Sequence, residues 1–150
     1  MTGPTDNAAE QLAAINEGRA AAADRLVTPR WYHPVLGILV AGYTVAYSLG
    51  NTIVRLVGVL LFLAACVVLM RTYRNITGVW VSGHKAGRAS RWAYAMGGLI
   101  GVGLAGGLAI GYFTDLRWPV WVIAAVLFVG TIVLGNRFDQ AVRAQLRAGA

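Results

Sequence analysis

Residues Trp92–Phe113 read WAYAMGGLIGVGLAGGLAIGYF, a stretch of twenty-two residues without a charge. A helix rises about 1.5 Å per residue, so this stretch can cross the roughly 30 Å hydrocarbon core of a bilayer. Seven of its residues are glycine, and each would weaken a water-exposed helix by about 1 kcal/mol relative to alanine. In lipid, the backbone must satisfy its own hydrogen bonds and small residues let helices approach closely. We therefore predict a transmembrane helix.

Small side chains line two faces of this predicted helix. The first glycine face repeats every four residues and consists of Ala93, Gly97, Gly101, Ala105 and Ala109. The second glycine face, roughly 200° away around the helix, consists of Gly103, Gly107 and Gly111. Because small residues permit close packing, we expect a neighbouring helix on each face, which places this span inside a bundle. The competing interpretation is a glycine-rich span that faces lipid and has no packing role.

The composition of the whole chain is that of a membrane protein. Hydrophobic residues make up 57% of the 150 residues and charged residues only 13%, whereas soluble domains carry about 25% charged residues. Arginine accounts for all but one of the thirteen basic residues, a bias typical of high-GC bacterial genomes. The single cysteine, Cys66, lies in an apolar run and is interpreted as a packing residue.

Four apolar stretches predict an all-α membrane protein built from two antiparallel hairpins. The predicted spans are about 34–50, 52–70, 92–113 and 118–135, with a long loop at 71–91. Aromatic residues beside arginine or proline, Trp31-Tyr32 and Trp118-Pro119, are typical of the membrane interface. The chain is thus divided into a cytoplasmic N-terminal helix (1–30), a four-helix transmembrane bundle (31–135) and a cytoplasmic C-terminal helix (136–150).

Basic residues predict the orientation. Of the thirteen, only Arg55 and Arg117 fall on the side of the two short turns, which leaves eleven on the side of the termini and the long loop. The positive-inside rule therefore places both termini in the cytoplasm of a multi-pass protein of the bacterial plasma (inner) membrane. The five cations of the loop are candidates for contact with anionic lipid headgroups of the inner leaflet: Arg71, Arg74, Lys85, Arg88 and Arg91. The alternative is that they only set the orientation of the chain in the membrane.

The two terminal helices carry opposite charge and one apolar face each. Over residues 5–27 the N-terminal helix has a net charge of −2 and presents Leu12, Ile15 and Leu26. The C-terminal helix has a net charge of +2 and presents Phe138, Val142 and Leu146. Because exposed apolar faces mark interaction sites, we expect the two helices to pack on each other, within one chain or across a dimer, or to dock a separate protein. The alternative for the N-terminal segment is a solvated arm.

Residues that could carry chemistry are few. One face of the first span is weakly polar and could line a path, although packing is its more common role: Tyr43, Thr44, Tyr47 and Ser48. Arg55 and Asp115 could form an ion pair at the outer end, and His33 is interpreted as an interface residue. The four predicted spans hold no acid, which disfavours proton-coupled export. We predict no catalytic residue, no metal site, no cofactor and no nucleic-acid partner, because no corresponding motif is present.

Three short motifs carry a resemblance to known sequences. They are Trp31-Tyr32-His33-Pro34, Thr77-Gly78-Val79-Trp80-Val81 and Gly135-Asn136-Arg137-Phe138-Asp139. From about Leu12 onward the chain resembles a group of small, uncharacterised four-span integral membrane proteins of high-GC bacteria. The resemblance implies the four-span topology and attaches no activity to it.

Two functions are compatible with these features. The first is a non-enzymatic accessory or interaction subunit, which presents its cytoplasmic helices to a protein partner or forms a homo-oligomer. The alternative is a small transporter or channel with a polar path along the first span. A continuous polar lining through the bundle would favour transport, whereas a closed bundle would favour the accessory subunit.

Overall fold

A computed structural model describes residues 4–25, 28–77 and 87–148, and these residues form helices joined by short connections, with no strand among them. The elements are α1 (Pro4–Arg25), α2 (Tyr32–Leu49), α3 (Thr52–Thr77), a 3-10 turn (Gly87–Ala89), α4 (Ser90–Phe113) and α5 (Trp118–Ala148). The prediction of an all-α protein is therefore confirmed for the described residues. Lys85 and the middle of the predicted 71–91 loop lie outside them.

Three segments are long and apolar enough to cross a membrane. They are Thr52–Ile76, Gly87–Phe113 and Trp118–Gln145, and each contains one of the predicted spans. The remaining predicted span corresponds to α2, which has 18 residues and includes His33, Thr44 and Ser48. The chain is thus compatible with a multi-pass membrane protein.

The bundle is organised around α2 and α5, which form its most extensive helix–helix contact. Helix α4 packs on both, α3 contacts α2, and α1 contacts α5. The buried residues of α2 follow helical spacing: His33, Gly37, Val40, Thr44 and Ser48. The buried residues of α5 do the same in its first half: Val120, Ala124, Leu127 and Thr131. Side chains of one stripe on each helix therefore form the centre of the bundle.

The two glycine faces of α4 have different surroundings. On the second glycine face, a methyl carbon added at Gly103 would lie 2.7 Å from Leu127, and one at Gly107 would lie 2.7 Å from Ser48 Oγ. On the first glycine face, Gly97 and Gly101 have no such neighbour within 4 Å, and Ala105 is exposed. We expected a neighbouring helix on each glycine face. In the single chain this expectation is corrected, because both α2 and α5 pack on the second glycine face of α4.

Two helices extend beyond their predicted ends. Helix α3 runs to Thr77, so that Arg71 and Arg74 belong to a helix and not to a loop. Helix α5 continues from Trp118 to Ala148 without a break near residue 135, so the last span and the C-terminal helix are one element. The glycine at 135 resembles a helix stop signal in the sequence, but among the described glycines only Gly87 has a positive φ. Gly135 is helical, and its lack of a side chain permits close packing.

Candidate functional site

A buried histidine–aspartate pair joins the two central helices at one end of the bundle. Nε2–H of His33, at the start of α2, donates a hydrogen bond of 2.8 Å to Oδ2 of Asp139, in the second half of α5. His33 is only 7% exposed, and its Nδ1 is buried without a hydrogen-bond partner. Buried ionisable residues are retained in membrane proteins mainly where they have a role. This pair is therefore the first candidate site.

Gly135 makes room for the histidine ring. It lies one helical turn before Asp139, so both residues share a face of α5. A methyl carbon at position 135 would lie 2.6 Å from Cε1 of His33, well inside contact distance. The spacing Gly135-x-x-x-Asp139 thus provides both the space for the ring and the acceptor for its N–H.

Aromatic residues surround this pair. The ring of Tyr32 packs edge-on against His33, with centroids 5.4 Å apart, and lies 5.0 Å from the ring of Tyr73 in α3. The hydroxyls of Tyr73 and Thr28 are 3.4 Å apart. Helices α2, α3 and α5 therefore converge here around two packed phenol rings and a hydrogen-bonded pair, which we call the His33 cluster (Tyr32, His33, Tyr73 and Asp139).

The last turns of α5 hold the start of α4. Ala89 is fully buried against Val142, with Phe138 and Ala141 packed beside them. The backbone N–H of Ala89 donates to Oε1 of Gln145, at 3.3 Å. The 87–89 turn therefore covers part of the Phe138 and Val142 face, for which the sequence predicts contact with the N-terminal helix or with another protein. Leu26 and the side chain of Leu146 lie outside the part of the chain that can be described.

Helix α1 lies beside α5 but keeps its larger apolar side chains in the open. Leu12 is 61% and Ile15 is 50% exposed, although α1 contacts α5. The apolar face that the sequence predicts on this helix therefore remains uncovered in the single chain.

The predicted polar face of α2 is divided between two environments. Thr44 and Ser48 are buried in the centre of the bundle, and the Thr44 hydroxyl donates to the carbonyl of Val40 at 2.8 Å. Tyr43 instead stacks on Phe62 of α3, with ring centroids 4.6 Å apart, and Tyr47 lies beside it. The four residues therefore do not line one path.

The buried stripe of α2 is apolar between its two polar ends. Gly37 and Val40 separate His33 from Thr44, and the ring of Phe128 lies directly against Gly37. Among the residues that the structure describes, polar side chains thus form no continuous line from the His33 cluster to Ser48.

A polar cavity of about 300 Å³ lies at the opposite end of the bundle. It brings Arg55 and Asp115 together with Arg117. No ion pair joins Arg55 to Asp115, both of which are described residues; the Arg55 guanidinium instead lies 6.0 Å from the ring centroid of Tyr47. Arg55 and Asp115 thus line one cavity but do not form the predicted ion pair.

The remaining predicted contact residues lie on the surface. The four described cations of the predicted loop are all exposed: Arg71, Arg74, Arg88 and Arg91. The guanidinium of Arg91 lies 5.3 Å from the ring centroid of Trp92. In the described ranges, no group of three or more His, Cys, Asp or Glu side chains could hold a metal ion.

Comparisons of this chain with protein-family models, with curated proteins and with solved structures give no match. The proposed function therefore depends on the geometry of the chain alone. Sequence analysis missed the His33–Asp139 pair because 106 residues separate the two and because Asp139 lies beyond the predicted end of the last span. The sequence did contain a signal for this pair. It is a glycine four residues before an acid, combined with a histidine at the start of a span.

Proposed function

We propose that the chain is a four-span bundle of two antiparallel hairpins, α2–α3 and α4–α5, in the bacterial plasma membrane. Helix α2 is the fourth span, because its 18 residues extend about 27 Å. Its polar His33, Thr44 and Ser48 are buried against the other helices, whereas Val35 and Ile38 are exposed. The surface of α2 that is left for contact with lipid is therefore apolar.

The proposed orientation has both termini in the cytoplasm. It is supported by the distribution of the basic residues: among those that the structure describes, only Arg55 and Arg117 lie at the end with the cavity. The exposed cations Arg71, Arg74, Arg88 and Arg91 then lie at the inner leaflet, where each contributes about 1 kcal/mol to the attraction of anionic lipid.

Cysteine labelling in intact cells tests this orientation. In a Cys66→Ala background, Asn51→Cys is expected to react with a membrane-impermeant maleimide, because Asn51 is exposed in the turn between α2 and α3. A cysteine appended after Ala150 is expected to react only after permeabilisation. Labelling of Asn51→Cys solely in permeabilised cells would contradict the proposed orientation.

We further propose that this protein acts as a non-enzymatic accessory subunit. The observation that carries the proposal is the length of α5: its 31 residues extend about 46 Å, well beyond a 30 Å hydrocarbon core. The part beyond the membrane holds the 87–89 turn, and α5 also contacts α1. It thereby forms a cytoplasmic layer on which Leu12 and Ile15 remain exposed for a protein partner or a second copy.

The transporter alternative has less support. Its proposed path required Tyr43, Thr44, Tyr47 and Ser48 to line one continuous surface. Two of these side chains are buried in the bundle centre and two lie against α3, with Phe128 closing the stripe at Gly37.

Charge placed on α1 tests the accessory role. The double substitution of Leu12→Glu and Ile15→Glu is expected to weaken retention of the partner or second copy at least about tenfold, because contact residues at the centre of an interface each contribute more than about 1 kcal/mol. Retention is measured by cross-linking in native membranes followed by sizing and mass spectrometry. Ala21→Glu, also exposed on α1, is the matched control. Unchanged cross-linked species in the double variant would show that α1 is only a solvated arm.

A further inference from the structure

The cavity at the Arg55 end of the bundle has the composition of an anion site. Its lining residues are Ser48, Leu49, Arg55, Gly111, Thr114, Asp115, Leu116 and Arg117. Its volume of about 300 Å³ equals that of about ten water molecules. Two arginines and one aspartate give it a net charge of +1. An arginine fork matches the geometry of phosphate oxygens.

Two polar groups beside this cavity have no hydrogen-bond partner among the described residues. Ser48 is 2% exposed and its Oγ makes no hydrogen bond. The Nε of Arg55 is also buried and unpaired. Buried polar groups are almost always hydrogen-bonded, so two unsatisfied donors beside one cavity are unusual.

An apolar cavity adjoins the polar one. It has a volume of about 470 Å³ and is lined by Tyr47, Arg55, Ala105, Leu108, Ala109, Tyr112 and Phe113. Arg55 belongs to both cavities. The small side chains of Ala105 and Ala109 leave this groove open beside α4, since α3 packs mainly on α2. One ligand could therefore place its charged end in the polar cavity and its apolar body in the apolar cavity, with the two parts joined beside Arg55.

We propose that the two cavities together bind one anionic phospholipid. Its phosphodiester accepts hydrogen bonds from Arg55 and Arg117, and an acyl chain lies along Ala105 and Ala109. The single negative charge matches the net charge of the cavity, and Asp115 accepts from a headgroup hydroxyl. The proposal rests on the proposed membrane insertion and is independent of the proposed partner role. In the proposed orientation the lipid belongs to the outer leaflet.

Native mass spectrometry of the full chain in detergent tests the site. Dioleoylphosphatidylglycerol is expected to bind more tightly than dioleoylphosphatidylcholine, whose headgroup is zwitterionic. Arg117→Gln is expected to weaken phosphatidylglycerol binding about tenfold, the effect of one lost charge-assisted hydrogen bond. Arg117 is exposed in a turn, so this variant keeps the fold. Arg137→Gln, an exposed arginine on α5, makes the same charge change and is expected to have less than a twofold effect.

A second variant separates a lipid from a free anion. Ala109→Phe fills the apolar cavity from an exposed position and is expected to weaken phosphatidylglycerol binding. If inorganic phosphate displaces the lipid from the unmodified chain while Ala109→Phe has no effect, the site binds free anions and the lipid proposal is wrong. Equal losses in Arg117→Gln and Arg137→Gln would overturn it as well. Retention of the cytoplasmic partner is expected to be unchanged in Arg117→Gln, so failure of one proposal does not imply failure of the other.

Discussion

Replacing Asp139 with leucine is expected to lower the free energy of unfolding of the bundle by about 3 kcal/mol. The substitution removes the hydrogen bond that Asp139 accepts from the buried His33 side chain, whose Nδ1 has no partner among the described residues. Loss of one member of a buried pair typically costs about 3–5 kcal/mol. The side chain of Asp139 keeps 16% of its surface exposed, which places the effect at the lower end. Unfolding in mixed micelles of increasing dodecyl sulfate content, followed by circular dichroism, measures the change.

A double-mutant cycle distinguishes the pair from its individual members. The combined His33→Leu and Asp139→Leu variant is expected to be more stable than Asp139→Leu alone, because apolar residues can replace a buried pair at little cost. Asp115→Leu is the matched control, since Asp115 is an exposed acid at the other end of the bundle. Equal unfolding midpoints for Asp139→Leu and Asp115→Leu would show that the pair does not stabilise the bundle.

Replacing Gly107 with leucine is the second change expected to have a large effect. A side chain there would begin 2.7 Å from Ser48 Oγ and 3.4 Å from Cγ2 of Thr44, at a position that is buried. Overpacking of a closely packed site typically costs about 1–3 kcal/mol, and the upper end is expected here because α2 would have to move away. The same unfolding measurement in mixed micelles tests it.

Gly101→Leu is the matched control on the first glycine face. Six residues earlier on the same helix, Gly101 has no side-chain neighbour within 4 Å, so the monomer is expected to change by less than about 0.5 kcal/mol. A reduction in oligomer size in this variant alone would indicate that the first glycine face packs against a second copy. Equal destabilisation of the monomer by both substitutions would contradict the assignment of one packed and one open face.

The helices were predictable from the sequence because their formation depends on local properties. Length, hydrophobicity and the scarcity of charge predict the helices at 52–70, 92–113 and 118–135, and the two faces of small residues on α4 follow from their spacing. The two short turns predicted an ion pair of Arg55 with Asp115, whereas the two side chains share a cavity without forming that pair. Helix ends were less predictable, since Gly135 carries the signal of a stop but serves as space for a histidine ring.

Only the tertiary structure decides which helix faces meet. It selects Gly103, Gly107 and Gly111, and not the equally small first face, as the surface that packs on α2 and α5. It also brings His33 to Asp139 across 106 residues and makes Arg55 the common wall of two cavities. Periodicity determines which residues of one helix share a face, whereas the partner of that face depends on how all the helices fill space together.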